Sequence, residues 1–192
     1  MKLILTDIDE VILKWQDSFY VWFLKNKIKN NNIITKLGIR PDFDQWIDIY
    51  PDNFNDTIIT FNKSESFGKL IPYDSALVEL PILKNLGYKF IGITACGVDV
   101  TTKTLRRNNL EYYFPGIFEE IHFSDINKDK DTFLKMYPFS WWIDDRPKHL
   151  DIGYNFGHNC LLYSQNYNLS CQDSRFTRVN DWHQISIILS KS

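Results

Sequence analysis

Several features that would place a chain in a class at once are scarce or missing here. Of 192 residues only three are cysteine, Cys96, Cys160 and Cys171, and no CxxC pair occurs. An odd number of thiols at wide spacing signals neither a disulfide framework nor a zinc site, and it fits a reducing compartment. Apolar runs such as Tyr20–Leu24 fall far short of a membrane span. The first apolar run, Leu3–Leu5, ends within two residues at Asp7, too soon for a signal-peptide core. A soluble protein of the cytoplasm is expected. Charge of one sign is lacking too: 22 basic residues face 24 acidic ones, a net −2. That balance gives no strong signal for gripping a nucleic-acid backbone. With eight Gly and seven Pro there is no low-complexity linker, and no internal repeat is found.

What remains is ordinary globular composition, 44% hydrophobic and 24% charged, with a high aromatic share of 16%. The length suits one compact domain, or a core with an inserted subdomain, burying roughly 70% of its extended-chain surface.

Short apolar runs bounded by polar residues read as buried strands. They occur at Lys2–Thr6, Lys89–Thr94, Phe118–Phe123, Trp141–Ile143 and Asn159–Tyr163. Helical stretches lie between or after them: Ser75–Leu86, stopped by Gly87 and interrupted at Pro81; Val98–Asn108; a short Asp131–Tyr137; and Asp181–Leu189 with Trp182, Ile185, Ile188 and Leu189 on one face. Alternation of this kind predicts an α/β fold, a parallel sheet with helices on both faces. Residues 15–73 break the rhythm. Trp15, Phe19, Trp22 and Phe23 form a helical stripe, Lys25–Asn32 reads as a loop, and a short helical stretch opens at Arg40-Pro41-Asp42 and closes by Pro51-Asp52. This is a mainly helical insert following the first strand.

The carboxylates carry the chemistry. Eighteen Asp give roughly two chance DxD matches, so the three present, Asp7/Asp9, Asp42/Asp44 and Asp129/Asp131, mean nothing by pattern alone. Only Asp7/Asp9 falls at the C-terminal end of a predicted central strand, where open α/β sheets bind ligands. The other two pairs read as solvated turns or helix starts. Asp144-Asp145 ends the Trp141–Ile143 strand. If the two strands are neighbours, three or four carboxylates converge, and like charges at that distance need a cation. Hard oxygen donors suit Mg²⁺. Thr94 ends the second strand, and Ala95-Cys96-Gly97 leads into a helix, an anion cradle of hydroxyl and backbone N–H groups. Lys128 or Lys130 can neutralise phosphate charge. Taken residue by residue, plainer readings stay open: a solvated turn for Asp7 and Asp9, a helix N-cap for Thr94, and insert core for the aromatic stripe. His122, His149, His158 and His183 lack metal-ligand spacing and read as surface or structural.

In order, a hydrophobic strand with Asp7-x-Asp9-x-Val11, Thr94 after the second strand, a lysine, and Asp144-Asp145 resemble the haloacid dehalogenase (HAD) phosphohydrolase superfamily. The resemblance covers 1–14 and 74–192, including Leu110-Glu111-Tyr112-Tyr113-Phe114 before the third strand. It implies a Rossmann-like core over those residues and places 15–73 where the family carries its helical C1 cap. Ile143-Asp144-Asp145-Arg146-Pro147 and Trp182-His183-Gln184-Ile185 are similar to the 5'(3')-deoxyribonucleotidase branch, which also carries a base-contacting aromatic eight positions after the nucleophile, here Trp15. Two positions depart from the pattern. Glu10 stands where Gly is usual, and Ala95-Cys96 replaces Ser-Pro.

The resemblance implies a Mg²⁺-dependent phosphomonoesterase with Asp7 as nucleophile and Asp9 as acid and base. Mg²⁺ would be held by Asp7, the Asp9 carbonyl and Asp145, with Asp144 direct or one step removed. Thr94, Ala95 and Lys130 would hold phosphate oxygens, Lys130 matching the pattern better than Lys128. Trp15 and Arg146 would contact substrate, or Arg146 would only pair with nearby acids. Phe43 and Trp46 are further candidates for the pocket wall. The expected substrate is a small phosphorylated molecule, a nucleoside monophosphate first, and the expected state is monomer or homodimer. Another phosphorylated metabolite, a nucleic-acid terminal phosphate, and a non-catalytic phosphate-binding module are the alternatives.

Overall fold

A computed structural model describes residues 2–27, 54–126 and 128–191. Six parallel strands form one sheet: β1 (Leu3–Thr6), β2 (Lys89–Thr94), β3 (Phe118–Phe123), β4 (Trp141–Asp144), β5 (Asn159–Tyr163) and β6 (Thr177–Val179). Their order across the sheet is β3-β2-β1-β4-β5-β6. The chain builds outward from β1 on one side, then crosses back to build β4 to β6 on the other. That reversal opens a crevice at the C-terminal ends of β1 and β4.

Helices cover both faces, as the alternation predicts. They are α1 (Trp15–Lys27), α2 (Phe54–Asn62), α3 (Asp74–Asn85), α4 (Val100–Tyr113), α5 (Asp131–Leu134), α6 (Pro147–Asn155) and α7 (Trp182–Ser190). Side chains alternate along each strand and sort into two cores. Ile4, Phe90, Ile143 and Leu161 face Leu80, Leu83, Trp182 and Ile185. Leu5, Ile91, Trp142 and Leu162 face Leu134 and Leu150. Asp99 and Asp181 cap α4 and α7, accepting the Thr102 and Gln184 N–H groups at 3.1 and 2.8 Å.

Three expectations need correction. Pro81 does not interrupt its helix: α3 runs unbroken from Asp74 to Asn85. Ala76, Leu80 and Leu83 anchor it in the core, and Leu77, whose carbonyl loses its usual helical donor at Pro81, lies on the exposed side. Helix α4 continues to Tyr113, beyond Asn108. The third concerns β6, three residues with no apolar run, which has no counterpart in the sequence pattern.

The stripe of Trp15, Phe19, Trp22 and Phe23 is buried as read, against Phe54, Ile58, Phe61 and Phe67. Phe61 meets Trp15, Phe19 and Phe67 edge-on, at centroid distances of 5.3 to 5.9 Å. Helix α1 reaches Lys27, past the expected loop start at Lys25. The rest of that loop, the stretch from Arg40 to Asp52, Asp42/Asp44, Phe43 and Trp46 lie outside the described residues. Among the described residues no helix is long and apolar enough to cross a membrane.

Candidate active site

Parallel register sets the site. Thr6 pairs with Gly92 on one side and Ile143 on the other, so β1, β2 and β4 finish side by side. Asp7, Thr94 and Asp144-Asp145, one or two residues beyond these pairs, are thereby delivered to one rim. The Asp7 N–H still donates to the Ile143 carbonyl at 2.8 Å, fixing the first turn beyond the sheet. Asp7, Asp144 and Asp145 are all buried, and each offers an oxygen within 4.8 Å of the others. Lys130, almost completely buried at the start of α5, places Nζ 2.8 Å from Asp7 Oδ2 and 2.8 Å from Asp144 Oδ2. Lys128 is exposed and takes no part in this contact.

Three acids share one lysine, and their proton affinities divide accordingly. Burial, then the charges of Asp144 and Asp9, push Asp7 up to about 6 against the pull of Lys130. Burial and the charges of Asp144 and Asp7 push Asp145 well above the usual carboxylate range. Burial acts on Asp144 too, but Lys130 and His149 outweigh it and hold that group low. Burial alone would lower Lys130; its two carboxylate partners hold it protonated instead. The excess negative charge and the buried oxygen-only donor set fit a hard divalent cation. Asp144 is the most committed of the three, accepting from Lys130, His149 and the Arg146 N–H. Asp145 Oδ2 accepts from the Tyr167 hydroxyl.

Asp9 stands apart from this trio. Its Oδ1 accepts from Arg106 Nη2 and its Oδ2 from Thr94 Oγ1 at 3.1 Å. Thr94 is therefore engaged with Asp9, and it is fully buried. Glu10 takes a left-handed backbone, φ 60°, where glycine would be free of strain. Its own side chain holds the turn. The carboxylate accepts from the Gln16 N–H at 2.6 Å and the Tyr73 hydroxyl at 2.9 Å, and its carbonyl accepts from Gln165 Nε2 at 2.6 Å.

A cavity of about 420 Å³ opens over these groups. Its apolar wall includes Trp15, Phe54, Ile58 and Cys96. Trp15 is stacked on Phe19 at 4.7 Å, so one indole face is covered. Its Nε1 donates to Asn62 Oδ1, and Asn62 Nδ2 donates to the Cys96 carbonyl, tying α2 to the loop after β2. Ala95 lines the same cavity. Arg146 lies over the Tyr167 ring at 4.7 Å with Nε 3.6 Å from Asp145, so its pairing with a nearby acid is observed. His149, read as surface or structural, lines the cavity and contacts Asp144.

Sequence reasoning missed Arg106 and Tyr167. Arg106 is one of two adjacent arginines in a polar helix, and Tyr167 sits in an Asn-rich loop. Only the tertiary fold brings each to its carboxylate.

No family model matches the chain. A phage T4 protein of 32.4 kDa, described as uncharacterised and encoded in the Gp30–rIII intergenic region, is 29% identical over 160 residues, covering 77% of this chain and 55% of that protein. The chain thus spans about half the length of the curated relative it matches. Among solved structures, a predicted phosphatase from Clostridium acetobutylicum superposes with a TM-score of 0.67 at 12% identity, covering 100% of this chain and 99% of that one. CbbY from Rhodobacter sphaeroides, in complex with phosphate, gives 0.62 at 13% identity, with 96% of both chains covered. A HAD-superfamily hydrolase from Ehrlichia chaffeensis gives 0.56 at 15% identity, covering 99% of this chain and 96% of that one. At such identities the likeness is one of architecture. The chain has the α/β fold of HAD-superfamily hydrolases, with its buried acidic cluster at the C-terminal rim of the parallel sheet.

Proposed function

We propose that the protein is a Mg²⁺-dependent phosphomonoesterase that works through an aspartyl-phosphate on Asp7 and acts first on nucleoside monophosphates. The observation that carries this reading is the convergence of Asp7, Asp144 and Asp145 around Lys130 at the end of the central strand. Asp7, Asp145 and the Asp9 carbonyl would hold Mg²⁺, with Asp144 direct or one step removed. The ion would neutralise charge on the phosphoryl oxygens.

The protein's own groups then divide the work. An Asp7 carboxylate oxygen attacks phosphorus in line, the ester P–O bond breaks, and Asp9 gives its proton to the departing oxygen. Water next attacks phosphorus, Asp9 takes the water's proton, and the bond to Asp7 breaks to free inorganic phosphate. Lys130 offsets charge beside Asp7 throughout. Ala95 borders the phosphate position, and Thr94, fully buried and absent from the cavity wall, serves to orient Asp9 instead of holding phosphate, the role the resemblance implies. Residues 15–73 serve as the cap that excludes water and shapes the leaving-group pocket. The apolar wall formed by Trp15, Phe54 and Ile58 supports a planar, partly apolar leaving group such as a nucleoside, and Arg146 lines the same cavity.

The test is phosphate release with Mg²⁺ from a panel of phosphomonoesters that includes dUMP, dTMP, sugar phosphates and aryl phosphates. Turnover of nucleotides that is lost in Asp7→Asn is the expected result. Turnover of sugar phosphates alone removes the nucleotide part, and no release from any ester removes the enzyme reading.

A further inference from the structure

Resting on the phosphomonoesterase reading, the structure assigns Arg106 as a positioning residue that clamps the Asp9 carboxylate for proton transfer to the leaving group. Arg106 lies midway along α4, with no solvent exposure. Its guanidinium stacks on the Phe67 ring, 4.2 Å from the centroid, which fixes its plane. Among the described residues its one ion-pair partner is Asp9. Among the described residues Nε and Nη1 make no close hydrogen bond, and the guanidinium's other polar neighbour is the Cys96 thiol, a weak acceptor. A buried cation whose remaining donors find no good acceptor is a poor investment in stability, since unsatisfied buried donors are costly. Departures of that kind from good packing chemistry concentrate at functional sites.

The geometry on the Asp9 side points the same way. Arg106 holds Oδ1 while Thr94 Oγ1 holds Oδ2, so both oxygens are gripped and the carboxylate cannot spin about its last bond. The Asp9 side chain keeps 21% exposure and borders the cavity, so it is clamped yet open to a ligand. Neither Arg106 nor Phe67 borders that cavity. Arg106 therefore acts through Asp9 and not on substrate.

A clamp for a general acid predicts a loss that depends on the leaving group. Phenolate is far more basic than p-nitrophenolate and needs protonation as it departs. First-turnover rates of ester cleavage in wild type, Arg106→Met and Arg106→Lys, each checked by thermal melting, read this step alone. In Arg106→Met, cleavage of phenyl phosphate should slow by about 30-fold and that of p-nitrophenyl phosphate by less than about 3-fold, with KM for both within about 2-fold. Arg106→Lys keeps the charge and secures folding should the methionine variant fail to fold, but it cannot stack or fork. It should show the same leaving-group-dependent loss at about 5-fold on phenyl phosphate. A merely structural role would lower the melting temperature and slow both esters equally. Equal losses, or no loss in the folded variants, overturn the assignment while wild-type turnover leaves the phosphomonoesterase reading standing. A wild type that cleaves neither ester overturns both.

Discussion

Lys130 Nζ sits 2.8 Å from an oxygen of Asp7 and 2.8 Å from an oxygen of Asp144, bridging the ends of two adjacent parallel strands. All three groups are buried, so the lysine is the fixed cation that lets the two acids coexist. Replacing it with methionine fills the volume but strands two carboxylates. Removing one partner of a buried ionic group typically costs about 3–5 kcal/mol. Lys130→Met should lose stability of that order in urea unfolding, and adding Asp7→Asn should restore part of it, because the acid left without a partner is then neutral. A loss below about 1 kcal/mol, with no recovery in the double variant, would contradict the pairing.

Stability should respond to pH in the sense set by Asp7 and Asp145. The Asp7 carboxyl is raised from 3.8 to about 6 in the folded protein. Between those values the native state holds a proton that the unfolded chain has lost, so stability falls as pH rises through this window, by about 3 kcal/mol from Asp7 alone. Asp145, also raised, acts in the same direction. Asp144 is lowered and acts oppositely: its contribution is present above the ordinary carboxylate range and is lost in acid. A bound divalent cation takes the place of those protons, so the stabilisation it gives should grow with pH. Melting temperatures measured from pH 5 to 7.5, in EDTA and in millimolar MgCl₂, should diverge as pH rises. A gap independent of pH would argue against Mg²⁺ binding at these acids.

Which parts of this arrangement were legible beforehand follows from the range of the interactions. All five runs read as strands hold to within a residue, three of them exactly, and the four inside the sheet are apolar because both of their faces are covered. Thr177–Val179 is an edge strand with one buried residue and leaves no such imprint. Asp7 and Asp144-Asp145 stand out because acids directly after apolar strands need a reason. Arg106 and Tyr167 do not. Their partners lie 97 and 22 residues away, and neither the spacing nor the neighbours of either residue mark it. Pro81 misled because the cost of proline in a helix is local, whereas three buried apolar side chains of α3, Ala76, Leu80 and Leu83, hold the helix through it.

Close packing between α6 and β4 gives a prediction independent of any chemistry. Trp142 is fully buried, and its Nε1 donates to the His149 carbonyl at 3.1 Å. A Cβ on Gly153 would lie 2.4 Å from Trp142 Cδ1, so the indole or the helix would have to shift. Because α6 begins beside Asp144-Asp145, such a shift moves the site as well. Gly153→Ala should destabilise by about 1–3 kcal/mol despite the higher helix propensity of alanine. Unfolding at or above wild-type stability would show that α6 does not press on Trp142 as described.

Tyr167 links the loop after β5 to the proposed metal position. Its hydroxyl donates to Asp145 Oδ2, and burial together with the Asp145 charge holds the phenol protonated far above its usual range, so it remains a donor at any working pH. The same loop is anchored from Asn168, whose Nδ2 donates to the carbonyls of Asp145 and Tyr163 at 2.7 and 2.8 Å. Asp145 is therefore oriented from both backbone and side chain before any ion arrives. Groups that orient a metal ligand commonly contribute 10- to 100-fold in affinity, so Tyr167→Phe should weaken Mg²⁺ binding by about tenfold. The ring is kept, so its contact with Arg146 survives and the loss isolates the hydroxyl. Calorimetric titration of Mg²⁺ into the two proteins reads this without reference to turnover. Equal affinities would mean that Asp145 is held by its backbone alone, or that the ion binds elsewhere.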